Sequence, residues 1–164
     1  MRNNSQNFNC INQNCKGEYR LKYQRIISNK DGDIPYLSSI MNLPEISRYI
    51  SIDEKNYWQY VTSNDNVFYF KVYDNNGQLV AATHCETVNR TLYMDIMVMP
   101  AHQRKGIATS VLRDIQCDKL PLEFDQIEVS IDSANTASTK LFEKMNFHYV
   151  SKEEELLNYI YKKF

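Results

Sequence analysis

Between residues 67 and 99, three strand-length apolar runs follow one another with almost nothing between them. Val67 to Tyr73 is aromatic and β-branched. Asn75-Asn76-Gly77 then interrupts it, Leu79 to Val88 returns, Asn89-Arg90 interrupts again, and Leu92 to Met99 closes the series. Asn and Gly accept positive φ at little cost, so both interruptions read as tight hairpin turns. Parallel neighbours need a crossover of a dozen or more residues, and neither connection has room for one. The three runs must therefore form an antiparallel meander, and any fold for this chain has to be built around it.

The flanks add helices and further strands. Ahead of the meander, Glu18 to Ile27 alternates Tyr19, Leu21 and Tyr23 with polar residues, as a half-buried strand does. Asp31-Gly32-Asp33 signals a turn, and Pro35 then opens a helix carrying Leu37, Ile40 and Met41. Pro44 suits the first turn of another helix, with Ile46, Tyr49 and Ile50 at helical spacing. Asp53 begins a third helical stretch through Trp58 and Val61. After the meander, Gly106 to Lys119 places Ile107, Val111, Leu112 and Ile115 on one helical face. Phe124 to Ile131 alternates as a strand, and Asn135 to Asn146 is a helix with Ala137, Leu141, Phe142 and Met145 inward. Phe147 to Val150 and Asn158 to Phe164 read as closing strands. The expected fold class is α/β (α+β), with a polar N-terminal arm over residues 1–17 and one domain over 18–164.

Composition narrows the function classes. The chain has 164 residues, 43% hydrophobic and 24% charged, with a formal net charge of -1. That balance gives no electrostatic footprint for nucleic acid or an anionic membrane. No apolar run approaches the roughly 20 residues of a membrane span. The first fifteen residues are Asn-rich and lack the apolar core of a secretion signal. A cytoplasmic protein is expected, monomeric or homodimeric. Cys10 and Cys15 lack a second ligand pair at zinc spacing, so they read as thiols of the arm, and no metal is expected.

The chain has only four glycines. Gly17 lies in the arm, and Gly32 and Gly77 lie in turns, whereas Gly106 sits in Gln103-Arg104-Lys105-Gly106-Ile107-Ala108, between an apolar strand and an amphipathic helix. The first amides of a helix lack intrahelical acceptors and carry the positive end of its dipole. A phosphate can accept several of them at once, provided short side chains let it approach. Arg104 and Lys105 add positive charge at the rim. The plainer alternative is a strand-to-helix connection with a solvated basic pair. Neither G-x-x-x-x-G-K-[ST] nor G-x-G-x-x-G is present, which argues against P-loop and dinucleotide folds.

Gln103-x-x-Gly106-x-Ala108 resembles the Q/R-x-x-G-x-G/A signature of the GNAT superfamily of N-acetyltransferases. Leu92 to Pro100 is similar to that family's central strand, and Asn135 to Phe147 resembles its N-x-x-[SA]-x-x-L-Y-E-K-x-G-F segment. The three matches keep the family's order and cover about Leu79 to Val150. The resemblance implies a mixed, mostly antiparallel central sheet flanked by helices, with a V-shaped cofactor cleft between the central strands. It implies acetyl-CoA as cosubstrate, with pantetheine paired to the backbone of Ile96, Met97 and Val98. The pyrophosphate would lie on Arg104, Lys105, Gly106, Ile107, Ala108 and Thr109 after Gln103, and Asn135 and Ser138 would lie near the pantetheine or acetyl group. The implied reaction is direct attack of a primary amine, from a small molecule or peptide, on the thioester.

Two departures from the pattern matter. Phe142 stands where the family often has a tyrosine that protonates the leaving thiolate, and Asn146 stands where glycine is usual. Phe142 also keeps open a second function, a non-catalytic acyl-CoA sensor on the same scaffold. No base is fixed by the motif. Asp95, the charged residue in the apolar strand, and Glu86 are the candidates, with His84 on the same face as Glu86 by the period of two. The alternative for each is a hydrogen-bonded or solvated structural residue. Tyr93 and Tyr149 are weaker substitutes for the missing acid.

Overall fold

The computed structural model describes residues 19–50 and 55–164. The expected arm, Cys10 and Cys15, and the start of the helix expected from Asp53 lie outside the described residues. In chain order the elements are β1 (Lys22–Arg25), α1 (Ile34–Met41), α2 (Pro44–Ser47), α3 (Tyr57–Ser63), β2 (Val67–Tyr73), β3 (Leu79–Val88) and β4 (Thr91–Val98). They continue with α4 (Ile107–Gln116), β5 (Gln126–Asp132), α5 (Thr136–Lys144), β6 (His148–Glu153) and β7 (Leu156–Lys162). Seven strands form one sheet in the order β1-β2-β3-β4-β5-β7-β6. Every pair is antiparallel except β4 with β5, which are joined through the α4 crossover.

The meander forms as its turns dictate. Asn89 and Arg90 both take positive φ (49° and 62°), the conformation whose twist matches a two-residue hairpin. In the other turn Gly77 is left-handed, and the Asp74 carboxylate accepts from the amides of Asn76 and Gln78 at 2.9 and 3.0 Å. The central strands are covered on both faces. Leu92 of β4 packs with Leu112, Ile115 and Ile127 in the core under α4 and α5. Met97 of β4 and Ala82 of β3 face the other core, with Leu37, Val61 and Tyr69 under α1 to α3.

Several expected bounds shift. β1 is only four residues long, because the chain leaves the sheet after Arg25 and passes through a turn built on Lys71. That lysine, 4% exposed at its side chain, meets Asp31 at 3.0 Å and Asp33 at 2.7 Å. A lone buried ammonium would be costly, and the Asp31-Gly32-Asp33 turn supplies its partners. α4 ends at Gln116 instead of Lys119, where Cys117 already leaves helical geometry. β5 begins at Gln126; Phe124 is buried ahead of it, not on the strand. β7 begins two residues earlier than expected and inserts between β5 and β6, so β6 becomes the edge. Asn146 takes φ 66°, the left-handed conformation that ends a helix and that Asn tolerates next after Gly.

Candidate active site

Among the described residues one strand pair of the sheet is parallel, and it creates the site. β4 and β5 are in register at Thr91, Leu92 and Tyr93 against Gln126, Ile127 and Glu128, and pairing stops there. Beyond Tyr93 the strands part, because β4 stays on β3 as far as Val98 while β5 stays on β7 as far as Asp132. The gap is a cleft of about 530 Å³ lined by Met94 to Val98 on one wall and Val129 to Asp132 on the other. Strand edges that face each other without pairing leave backbone donors and acceptors available to whatever enters.

One end of the cleft is the glycine loop. Gly106 is the N-cap of α4 with φ 80°, and Arg104 is also left-handed at φ 60°. A Cβ placed on Gly106 meets no atom within 4 Å, so the space above it is open. The first helical closure is from the Ser110 amide to the Gly106 carbonyl at 3.1 Å, which leaves the amides of Ile107, Ala108 and Thr109 at the start of the helix without a place in its ladder. Gln103 donates to the Val98 carbonyl at 3.3 Å and so ties the loop to the end of β4. His102, Gln103, Arg104, Gly106, Ile107, Ala108 and Thr109 all line the cleft, while Lys105 lies on the exposed outer side of the loop.

The α5 wall is contributed by Asn135, Ala137, Ser138, Leu141 and Phe142. Asn135 has a structural task there, since its Oδ1 accepts from the Ser138 amide at 3.3 Å and caps α5. Phe142 is 6% exposed and packs edge-on against Phe147, with ring centroids 4.9 Å apart. It presents carbon alone to the cleft.

α2 and the residues after it supply Glu45, Ile46, Tyr49 and Ile50 to the same cleft. From the sequence, acceptor specificity is expected on the helices before Thr62, but Ile46, Tyr49 and Ile50 read there only as a helix face. A one-turn helix carries no periodic signal strong enough to show what it covers. Asp95 also lines the cleft and is half-buried. Its backbone carbonyl accepts from Thr83 Oγ1 at 2.6 Å. Burial raises its carboxyl above the usual carboxylate range, and the neighbouring His84 pulls it part of the way back.

His84 stands directly opposite Asp95 in the β3–β4 register, and Glu86 stands opposite Tyr93. His84, Glu86 and Asp95 therefore share the sheet face under α3, with His84 Nε2 3.9 Å from Glu86 Oε2. The structure brings these three together, but only Asp95 lines the cleft. Tyr93 and Tyr149, the substitute acids, are both exposed and do not line it; Tyr49 does. A second, shallower concavity runs from Asp118 to Phe124 beside Arg90 and Lys163. Its charges are already committed, Arg90 to Asp125 at 2.8 Å and Lys163 to Asp118. Among the described residues no group of three His, Cys, Asp or Glu side chains is placed to hold a metal ion, and no helix is long and apolar enough to cross a membrane.

Comparison with known proteins agrees with this geometry. The crystal structure of spermidine N-acetyltransferase from Vibrio cholerae, in complex with CoA and spermine, superposes with a TM-score of 0.72 at 18% identity, over 87% of this chain and 95% of that one. Campylobacter jejuni N-acetyltransferase PseH, in complex with acetyl coenzyme A, gives 0.70 at 11% identity over 88% and 99%. A domain from Methanocaldococcus jannaschii gives 0.70 at 16% identity over 88% and 99%. At these identities the likeness is one of fold. A search of curated proteins by sequence finds no match. The profile of the Acetyltransferase (GNAT) family, however, matches residues 35–147, from α1 to the end of α5. On that match, over more than half its length, the chain belongs to the GNAT family of acetyltransferases and is an acyltransferase.

Proposed function

We propose that the chain moves an acetyl group from acetyl-CoA to a primary amine of a small molecule or peptide. The observation that carries this is the meeting of two features in one cleft: strand edges that part after Tyr93, and a glycine-capped helix start with open space above Gly106. The residues present fit acetyl-CoA. Arg104 to Thr109 would hold its pyrophosphate on backbone amides, Ile96 to Val98 would flank the pantetheine, and Asn135 and Ser138 lie on the facing wall. Acetyl-CoA supplies an acetyl group already activated as a thioester.

The chain's own residues have the remaining work. An amine reaches the cleft as an ammonium and must lose a proton before its nitrogen can attack. Asp95, a carboxylate drawn toward its protonated form by burial, pairs with that cation and takes the proton. Phe142 gives no proton to the departing sulfur, so that proton comes from solvent. Across the reaction a C–N bond forms, the C–S bond breaks, and one proton is released for each ammonium consumed. Glu45 adds a second carboxylate to the cleft lining, which fits a cationic acceptor. Support for an amine acceptor also comes from the Vibrio cholerae fold relative, named as a spermidine N-acetyltransferase.

The test is thiol release from acetyl-CoA with a panel of spermidine, L-lysine, an aminoglycoside and a peptide with a free N-terminus. The expected result is one thiol and one amide formed per turnover with at least one amine. Tight CoA binding without thiol release for any of them would favour the acyl-CoA sensor, the reading that Phe142 supports.

A further inference from the structure

Tyr57, the first residue of α3, donates to or accepts from His84 Nδ1 across 2.8 Å, and its ring lies 5.7 Å from the imidazole at an interplanar angle of 30°. The phenol is held in an aromatic box. Trp58 and Tyr69 meet it edge-on at 5.0 and 6.3 Å and meet each other at 4.9 Å. The box is anchored in turn, because Trp58 Nε1 donates to Ser38 Oγ at 3.1 Å and Tyr69 is 2% exposed. Tyr57 therefore cannot swing away from the histidine without dismantling the packing under α3.

The direction of the hydrogen bond follows from the phenol's single proton. Burial, and after it the charge of Asp95, push the Tyr57 hydroxyl far above its ordinary value, so the phenol keeps its hydrogen. Among the described residues His84 Nδ1 is the acceptor offered to it. Were Nδ1 to carry the imidazole proton instead, two hydrogens would meet on one line unless the phenol turned its own away. With the phenol as donor, Nδ1 is the acceptor and the imidazole proton belongs on Nε2, on the side where Glu86 Oε2 lies 3.9 Å away. Ionisable groups face the ring from four elements. Tyr57 comes from α3, Tyr69 from β2, Glu86 from β3 itself and Asp95 from β4, while Tyr60 of α3 lies beside Glu86.

We propose that Tyr57 is a positioning residue for the acceptor side of the cleft: its hydroxyl holds His84 as the Nε2–H tautomer, a donor and not a base, and leaves Asp95 as the group that meets the acceptor amine. The proposal rests on the acetyl-transfer function above. It assigns different work to two residues that face each other across one register position. His84 keeps Nδ1 committed to the phenol, and the ammonium proton goes to the carboxylate that lines the cleft.

The experiment is a long-range ¹H–¹⁵N correlation on the full-length protein, which has three histidines, compared with Tyr57→Phe. The native protein is expected to show His84 as the Nε2–H tautomer alone. Tyr57→Phe, which keeps the ring and the box, is expected to show a mixture of both tautomers. An Nδ1–H tautomer in the native protein, or an unchanged spectrum in Tyr57→Phe, overturns the proposal whether or not turnover is seen. A second arm uses whichever panel amine turns over. His84→Gln, whose amide keeps a donor, is expected to retain kcat within about threefold, while Asp95→Asn loses at least tenfold. Equal losses in the two variants would make His84 the base and overturn the assignment. Failure of every amine would count against the acetyl-transfer function, and the spectra would still decide the tautomer.

Discussion

Replacing Gly106 by Glu separates the fold from the cofactor loop. The residue sits at φ 80°, where an L side chain costs about 1–2 kcal/mol, partly offset by the unfolded-state entropy that glycine carries. Its added Cβ meets nothing within 4 Å, so no clash is added to the strain. A net loss of about 1 kcal/mol from a stability of about 5–15 kcal/mol leaves the protein folded, with a melting temperature lower by about 2–4 °C. The effect on coenzyme A is larger. A carboxylate about 5 Å from one anionic phosphate costs about 3 kcal/mol at an effective dielectric of about 20, which is an affinity loss of about 150-fold. Calorimetric titration with coenzyme A, alongside thermal melts, reads both quantities. Gly106→Ala carries the same backbone strain without the charge, and it should bind within about fivefold of the native protein. If folded Gly106→Glu bound coenzyme A with near-native affinity, the phosphate would not lie on this loop.

Asp95→Asn should raise KM or lower kcat for the acceptor while leaving coenzyme A affinity nearly unchanged, since the cofactor would meet β4 through backbone atoms; native acceptor kinetics would remove Asp95 from the mechanism, and loss of the fold would show its task to be structural. Phe142→Leu should leave the shape of the pH–rate profile unaltered at a stability cost of about 1 kcal/mol; loss of an alkaline limb would show that position 142 matters to proton transfer after all. Lys71→Met should destabilise the protein in a pH-dependent way. The hydrogen bond from Lys71 holds the Asp33 carboxyl below its ordinary value. That contribution is complete above the ordinary carboxylate range, near pH 4, and is lost as pH falls through the lowered folded-state value. Urea midpoints of the two proteins should therefore converge between pH 5 and pH 2, and a constant gap would refute the linkage.

Much of this was legible in the chain because it is local. Two turns whose residues accept positive φ, with strand-length runs on either side, are enough to specify the β2–β3–β4 meander, and Asn89 and Arg90 adopt the predicted conformation. Gly106 between an apolar strand and an amphipathic helix is likewise a statement about neighbouring residues, and so is Asn146 at the end of α5. The family pattern was readable for the same reason, since its motifs are short and keep their order.

What the sequence withheld depends on pairs far apart along it. The cleft exists because β4 and β5, separated by α4, stop pairing after three positions while each keeps its other neighbour. No local pattern in either strand states where a parallel pairing ends. β7 enters between β5 and β6 for a similar reason, because strand order is chosen by which faces can be buried together, and each strand's own alternation is satisfied in several orders. The acceptor end is the clearest case. In the sequence Asp95 and His84 are candidates on two separate strands, and nothing singles out Tyr57. Only the β3–β4 register sets His84 opposite Asp95, and only the packing of α3 on that face brings a phenol to within 2.8 Å of the imidazole. A side chain's period along its strand says which face it occupies, but the group it meets there is decided by the element that covers the face.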